Sequence, residues 1–153
     1  MKRATLMCAL LLAACNGRQS PLIGSDHIDG DSIPNALTDT PGDTDRGKIV
    51  FLQREQGHCV LCHVVSELDV AFQGNIGPDL SQVGARLSPA QIRLRIVDYQ
   101  ILSPGTLMPS YYRIHDLYQV QDDYLGETIL TAQQVEDLVA YLSQTAEDAN
   151  EHE

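Results

Sequence analysis

The pentapeptide Cys59-Val60-Leu61-Cys62-His63 constrains this chain more than any other feature. C-x-x-C-H is the attachment signature of c-type haem. Two thiols one helical turn apart can add to the two vinyl groups along one edge of a porphyrin. The histidine directly after the second thiol then stands under the iron and supplies one axial nitrogen. The sixth position is filled from elsewhere in the fold, and that choice sets the redox potential. The motif points to electron transfer.

C-x-x-C by itself is a weak signal, because zinc sites and thiol redox sites share it. Zinc needs two further ligands at similar spacing, and the chain has no second cysteine pair outside Cys8 and Cys15 near its start. A thioredoxin-like site needs a strand–helix unit, which this sequence does not offer. The histidine after Cys62, an export segment and flanking helical patterns all agree with haem.

Residues 1–14 read as an export signal, with Lys2 and Arg3 as the charged start and Leu6 to Ala14 as the apolar stretch. Leu12-Ala13-Ala14-Cys15 resembles a bacterial lipobox, in which Cys15 is acylated and becomes the new N-terminus. The alternative is an ordinary signal peptide cut near Ala14, leaving Cys15 as a free thiol. The apolar stretch is too short to span a bilayer as a mature helix. On the lipoprotein reading the thiols are all accounted for: Cys8 leaves with the signal, Cys15 takes the lipid, and Cys59 and Cys62 take one haem c. None remains for a disulfide, and export argues against a reducing compartment.

The net charge is −11, from 10 Lys+Arg and 21 Asp+Glu. Without Lys2 and Arg3 the balance is 8 against 21, or −13. That excludes nucleic acid as a natural partner and leaves a lipid anchor as the only basis for membrane residence.

Residues 15–43 read as an anchored, mostly flexible leader rich in Ser, Gly, Pro and Asp. Ile33-Pro34 through Leu37 carry enough apolar character to dock on the domain or on a partner. Residues 44–145 form one domain, and residues 146–153 an acidic, frayed tail. A first helix starts near Asp45, capped by Thr44 or Asp45, with Ile49, Val50 and Leu52 available for packing. Gly47 lies inside it, which suits either a close helix crossing or a cheap near-terminal position. Residues 66–84 read as loop. Ser88-Pro89-Ala90-Gln91 is a capping box with proline at the first helical position, opening a helix to about Tyr99. Thr131-x-x-Gln134 opens the last helix, where Val135, Leu138, Val139 and Leu142 make one buried stripe. The expected fold is an all-α small cytochrome c, with N- and C-terminal helices crossing beside the haem.

The sixth ligand of such a carrier is a methionine or a histidine. Met1 and Met7 leave with the signal, so Met108, 45 residues after His63, is the only thioether of the mature chain. Pro109 pushes Met108 into an extended conformation suited to a loop-borne ligand. The competing reading is a core-filling methionine, with His115 as the rival ligand. His58 lies on the proximal side, and His27 and His152 lie in the ends. Arg86, Arg93, Arg95 and Arg113 cluster centrally, available for haem propionates or an acidic partner, or simply solvated.

Several longer segments carry a family resemblance. Phe72-Gln73-Gly74-Asn75-Ile76-Gly77-Pro78-Asp79-Leu80, Val83-Gly84-Ala85-Arg86-Leu87-Ser88, Leu94-Arg95-Ile96-Val97-Asp98, Met108-Pro109-Ser110-Tyr111-Tyr112 and Ile129 through Leu142 closely resemble SoxX, the monohaem subunit of SoxAX thiosulfate-oxidising complexes. The likeness spans about Asp31 to Gln144. The C-x-x-C-H and Gly-Pro-x-Leu pieces are shared by many cytochromes c; the Met-Pro-Ser-Tyr-Tyr segment and the terminal helix are more specific.

The resemblance implies an electron-transfer subunit of an L-cysteine S-thiosulfotransferase. In that family thiosulfate is joined oxidatively to a cysteine of the carrier protein SoxY, and two electrons are released. The bond-forming haem site belongs to the partner SoxA. The SoxX haem passes the electrons on to a small cytochrome c. Carried over, Cys59 and Cys62 hold the porphyrin, His63 is the proximal ligand and Met108 the distal one. The alternative is a free-standing monohaem carrier serving an oxidase. The lipobox departs from the ordinary periplasmic signals of many members. Asn16 is not the aspartate of inner-membrane retention, which favours an outer-membrane anchor in the periplasm.

Overall fold

The computed structural model describes residues 22–145; the segment expected to be an export signal, Cys15 and the acidic residues from 146 on lie outside them. Four α-helices order the described residues: α1 (Thr44–Leu52), α2 (Val83–Arg86), α3 (Pro89–Asp98) and α4 (Ala132–Gln144). Among the described residues there is no β-strand, only an isolated bridge between Asp29 and Ser32. None of their helices is long and apolar enough to cross a membrane. The all-α expectation holds.

α4 packs across α1 and also against α3 and α2. Its expected stripe is the core: Val135, Leu138, Val139 and Leu142 are all buried. Thr131 and Gln134 form the reciprocal capping box at its start, and Ser88 and Gln91 form the same device on α3. Each satisfies two N–H groups that the first turn would otherwise leave unpaired.

α1 differs in detail from its sequence pattern. Its cap is Asp43, whose side chain accepts from the Arg46 N–H at 2.8 Å. Val50 and Phe51 face the core, while Ile49 is 46% exposed. Phe51 meets Tyr141 of α4 edge to face, with ring centroids 5.7 Å apart. Gly47 is the crossing point: a Cβ there would stand 2.0 Å from the Asp137 carbonyl oxygen and 2.7 Å from Tyr141 Cβ. The close-crossing reading of Gly47 is therefore the one the structure takes.

Residues 31–43, placed by sequence in the leader, run along the domain. Ile33 is buried, and its N–H donates to the Ala90 carbonyl. The Leu37 N–H donates to Glu136, and the Asp43 N–H to Asp137. Asp31 accepts from Gln91 and Arg95. An apolar anchor at Ile33 and backbone groups matched to buried side chains give this arm partners that composition does not reveal.

Candidate haem site

The turn Cys59–Leu61 makes the site local. The Cys62 and His63 N–H groups both donate to the Cys59 carbonyl, at 3.0 and 2.9 Å. His58 opens the turn in the left-handed region, with φ 46°. Cys59 and Cys62 are not disulfide-bonded. Burial pushes the Cys59 thiol up to about 12, which favours its protonated form.

His63 is oriented by a carbonyl. Its Nδ1 lies 2.8 Å from the Pro78 oxygen. A carbonyl only accepts, so Nδ1 carries the proton and Nε2 keeps the lone pair used by a ligand. Gly77 shapes the same contact, because a Cβ there would fall 2.3 Å from the His63 ring. The Gly77 N–H donates to the Cys62 carbonyl at 2.8 Å, closing this loop under the motif.

These groups open onto a cavity of about 650 Å³, within the usual range of cofactor sites. Cys59, Cys62, His63 and Met108 all line it, 45 residues of sequence after His63 notwithstanding. Its walls include Ile92 and Ile96 of α3, Leu142 of α4, Leu80 and Tyr111. The Tyr111 hydroxyl donates to the Gly57 carbonyl at 3.0 Å. Burial, with the neighbouring Cys59 and Cys62 adding to it, raises the Tyr111 phenol and keeps it a protonated donor.

Two thiols on one turn, a histidine with Nε2 open and a largely apolar cavity fit a covalently held haem. A zinc reading finds no support: among the described residues no three His, Cys, Asp or Glu side chains are grouped to hold a metal ion. Of the histidine rivals, His115 does not line the cavity and His58 does. His27 sits at the exposed start of the described chain, and His152 lies outside it.

The central arginines are used inside the molecule. Arg93 makes a buried pair with Glu136 (2.7 Å), Arg95 pairs with Asp31 and Arg113 with Asp98. Arg86 donates to the Asp79 carbonyl. Arg86 and Arg95 also line the cavity. Sequence reasoning passed over the Pro78 carbonyl as a partner for His63, and over the roles of Asp98 as a partner of Ser110 and Arg113 and of the Gly57 carbonyl as a partner of Tyr111. The Gly77-Pro78 dipeptide was the available signal for the first; the other two had none.

The cytochrome c family model matches residues 44–146. No curated protein matches the chain. Among solved structures, the chain is similar to one in the crystal structure of SoxXA from P. pantotrophus. The identity is 33% and the TM-score 0.70, covering 76% of this chain and 91% of that one. Covalently bound haem c and electron transfer are what this family implies. By its domain match, its fold and this likeness, the chain belongs to the cytochrome c family, as a SoxX-like member.

Proposed function

We propose that this chain is the electron-transfer subunit of a SoxAX-type L-cysteine S-thiosulfotransferase. It holds one haem c through Cys59 and Cys62, with His63 and Met108 as axial ligands. The observation that carries this reading is the meeting of all four side chains at one cavity, with His63 turned by Pro78 so that Nε2 is free. Bound there, haem supplies a one-electron couple, and a thioether ligand favours the ferrous state. The chain's own residues bind, orient and shield: the two cysteines fix the cofactor, Pro78 sets the histidine, and α3 and α4 keep water from one wall.

The partner in this reading is a SoxA-like haem subunit, supported by the likeness to a SoxXA structure. That subunit joins thiosulfate to a cysteine of a SoxY-type carrier, and the two released electrons leave towards a small cytochrome c. Cys15 anchors the chain by lipid in the periplasm, with the outer membrane favoured by Asn16.

Haem staining after denaturation, an absorption spectrum and copurification test the reading. The wild type retains stained haem, shows the weak red methionine–Fe(III) band and copurifies with a coexpressed SoxA-like protein. Cys59→Ala/Cys62→Ala loses the stain, and Met108→Ala loses the red band. Covalent haem retained in the double variant overturns the site. A chain that stays monomeric beside its partner returns it to a free-standing carrier. Metabolic labelling with a fatty acid, lost in Cys15→Ala, tests the anchor.

A further inference from the structure

The loop that bears Met108 is tied to distant parts of the fold from one side; on the other its bonds are local turns, such as Thr106 N–H to the Ser103 carbonyl. Before it, Leu107 is 85% exposed, and nothing lies within 4 Å of a Cβ built on Gly105. The backbone N–H of Met108 itself reaches only Thr106. After Pro109, every residue to Arg113 is fastened. Ser110 Oγ donates to Asp98 Oδ1 at 2.6 Å. The N–H groups of Tyr111 and Tyr112 donate to the carbonyls of Ile96 and Val97 in α3. Tyr111 reaches across to Gly57, two residues before Cys59. Arg113 Nη1 donates to Asp98 Oδ2 at 3.1 Å.

Asp98 is out of place by helix chemistry alone. A carboxylate in the last turn of a helix opposes the helix dipole, and this one is only 4% exposed. Its oxygens are taken by Ser110, Arg113 and the Gln100 N–H. The cost of a buried anion is met by tying α3 to the loop. Methionine has three rotatable bonds and a weak, neutral sulfur, so its ligation depends on the backbone being preorganised.

We propose that Asp98 and Tyr111 are positioning residues for the sixth ligand: they clamp the loop at two points and hold Met108 at the cavity. This rests on Met108 as the axial ligand. Asp98 fixes the loop to α3 through Ser110 and Arg113, and Tyr111 fixes it to the segment entering the haem motif.

The test uses the full-length ferric holoprotein, mixed with imidazole, following the rate at which the red methionine–iron band disappears. Asp98→Asn, Ser110→Ala and Tyr111→Phe each raise that rate about tenfold, the lower end of what loss of a partner to a metal ligand costs. Ser110→Thr, which keeps the hydroxyl, restores it. Asp137→Asn removes a comparably buried and bonded carboxylate away from this loop; it lowers thermal stability and leaves the rate unmoved. If Asp98→Asn fails to fold, Tyr111→Phe carries the result, because it retains the half-buried ring. Wild-type rates in Ser110→Ala and Tyr111→Phe overturn the clamp, as does equal acceleration in Asp137→Asn. A wild type with no red band overturns the ligand assignment instead, and the clamp with it.

Discussion

Gly47 of α1 and Asp137 of α4 approach so closely that a side chain at Gly47 would put its Cβ 2.0 Å from the Asp137 carbonyl oxygen. The obstacle is backbone inside a helix, and no side chain can swing aside to relieve it. Gly47→Ala therefore forces α1 and α4 apart along the interface that carries Phe51 and Tyr141. Overpacking of this kind costs about 1–3 kcal/mol, and the rigid neighbour puts this site near the upper end. Denaturant unfolding of the holoprotein measures it; wild-type stability in Gly47→Ala would show that the crossing has room for a side chain.

Gly77 does for His63 what Gly47 does for α1. A Cβ at 2.3 Å from the ring requires the imidazole or the Gly77-Pro78 backbone to shift, which disturbs the bond from Nδ1 to the Pro78 carbonyl. We expect Gly77→Ala to keep its helical circular dichroism while the ferric electron paramagnetic resonance signal shifts. An unchanged signal would mean that the histidine is set by something other than this contact.

The Arg93–Glu136 pair is buried on both sides, with side chains 7% and 6% exposed. Arg93 also donates to the Ile33 carbonyl and Glu136 accepts from Leu37, so the pair secures the arm as well as joining α3 to α4. Removing one partner leaves an uncompensated buried charge, worth roughly 3–5 kcal/mol. Arg93→Met or Glu136→Leu is expected to lose about that much and to make residues 31–40 more sensitive to protease. The double variant should recover most of the stability, since no lone charge remains. A double variant as unstable as the sum of the singles contradicts this account.

Asp137 gives a pH dependence. Burial works to raise its carboxyl, but hydrogen bonds from Arg46, Gln133 and the Asp43 N–H together outweigh burial and hold it below the ordinary value of 3.8. A folded-state value below the unfolded one adds stability above the unfolded value, and that stability is lost as pH falls through the folded value. Acid titration of the unfolding free energy is expected to decline below about pH 4. Asp137→Asn should flatten part of that decline; an identical slope would remove Asp137 from the acid response.

How much was legible in the sequence follows from the range of each interaction. The haem turn, both capping boxes and the α4 stripe depend on residues within one or two turns, so spacing alone reveals them. The packing face of α1 was misjudged at Ile49, because nine residues contain too few apolar positions to define a stripe and the Gly47 crossing chooses the face. The docking of residues 31–43 was foreshadowed by Ile33 and Leu37 but not its partners, Glu136 and Asp137, which lie more than ninety residues away.

By itself the sequence determined the chemistry: two thiols and a histidine at fixed spacing, one methionine downstream of them, and two helices whose starts are marked by their own capping boxes. These are local covalent and hydrogen-bonding facts that survive any arrangement of the rest. Only the tertiary structure decided which polar groups meet. It turned His63 with the Pro78 carbonyl, spent the central arginines on Glu136, Asp31 and Asp98, and fastened the Met108 loop to α3 and Gly57. Such pairings are settled by the close packing of helices, because a buried polar group takes whichever partner the packing brings within reach.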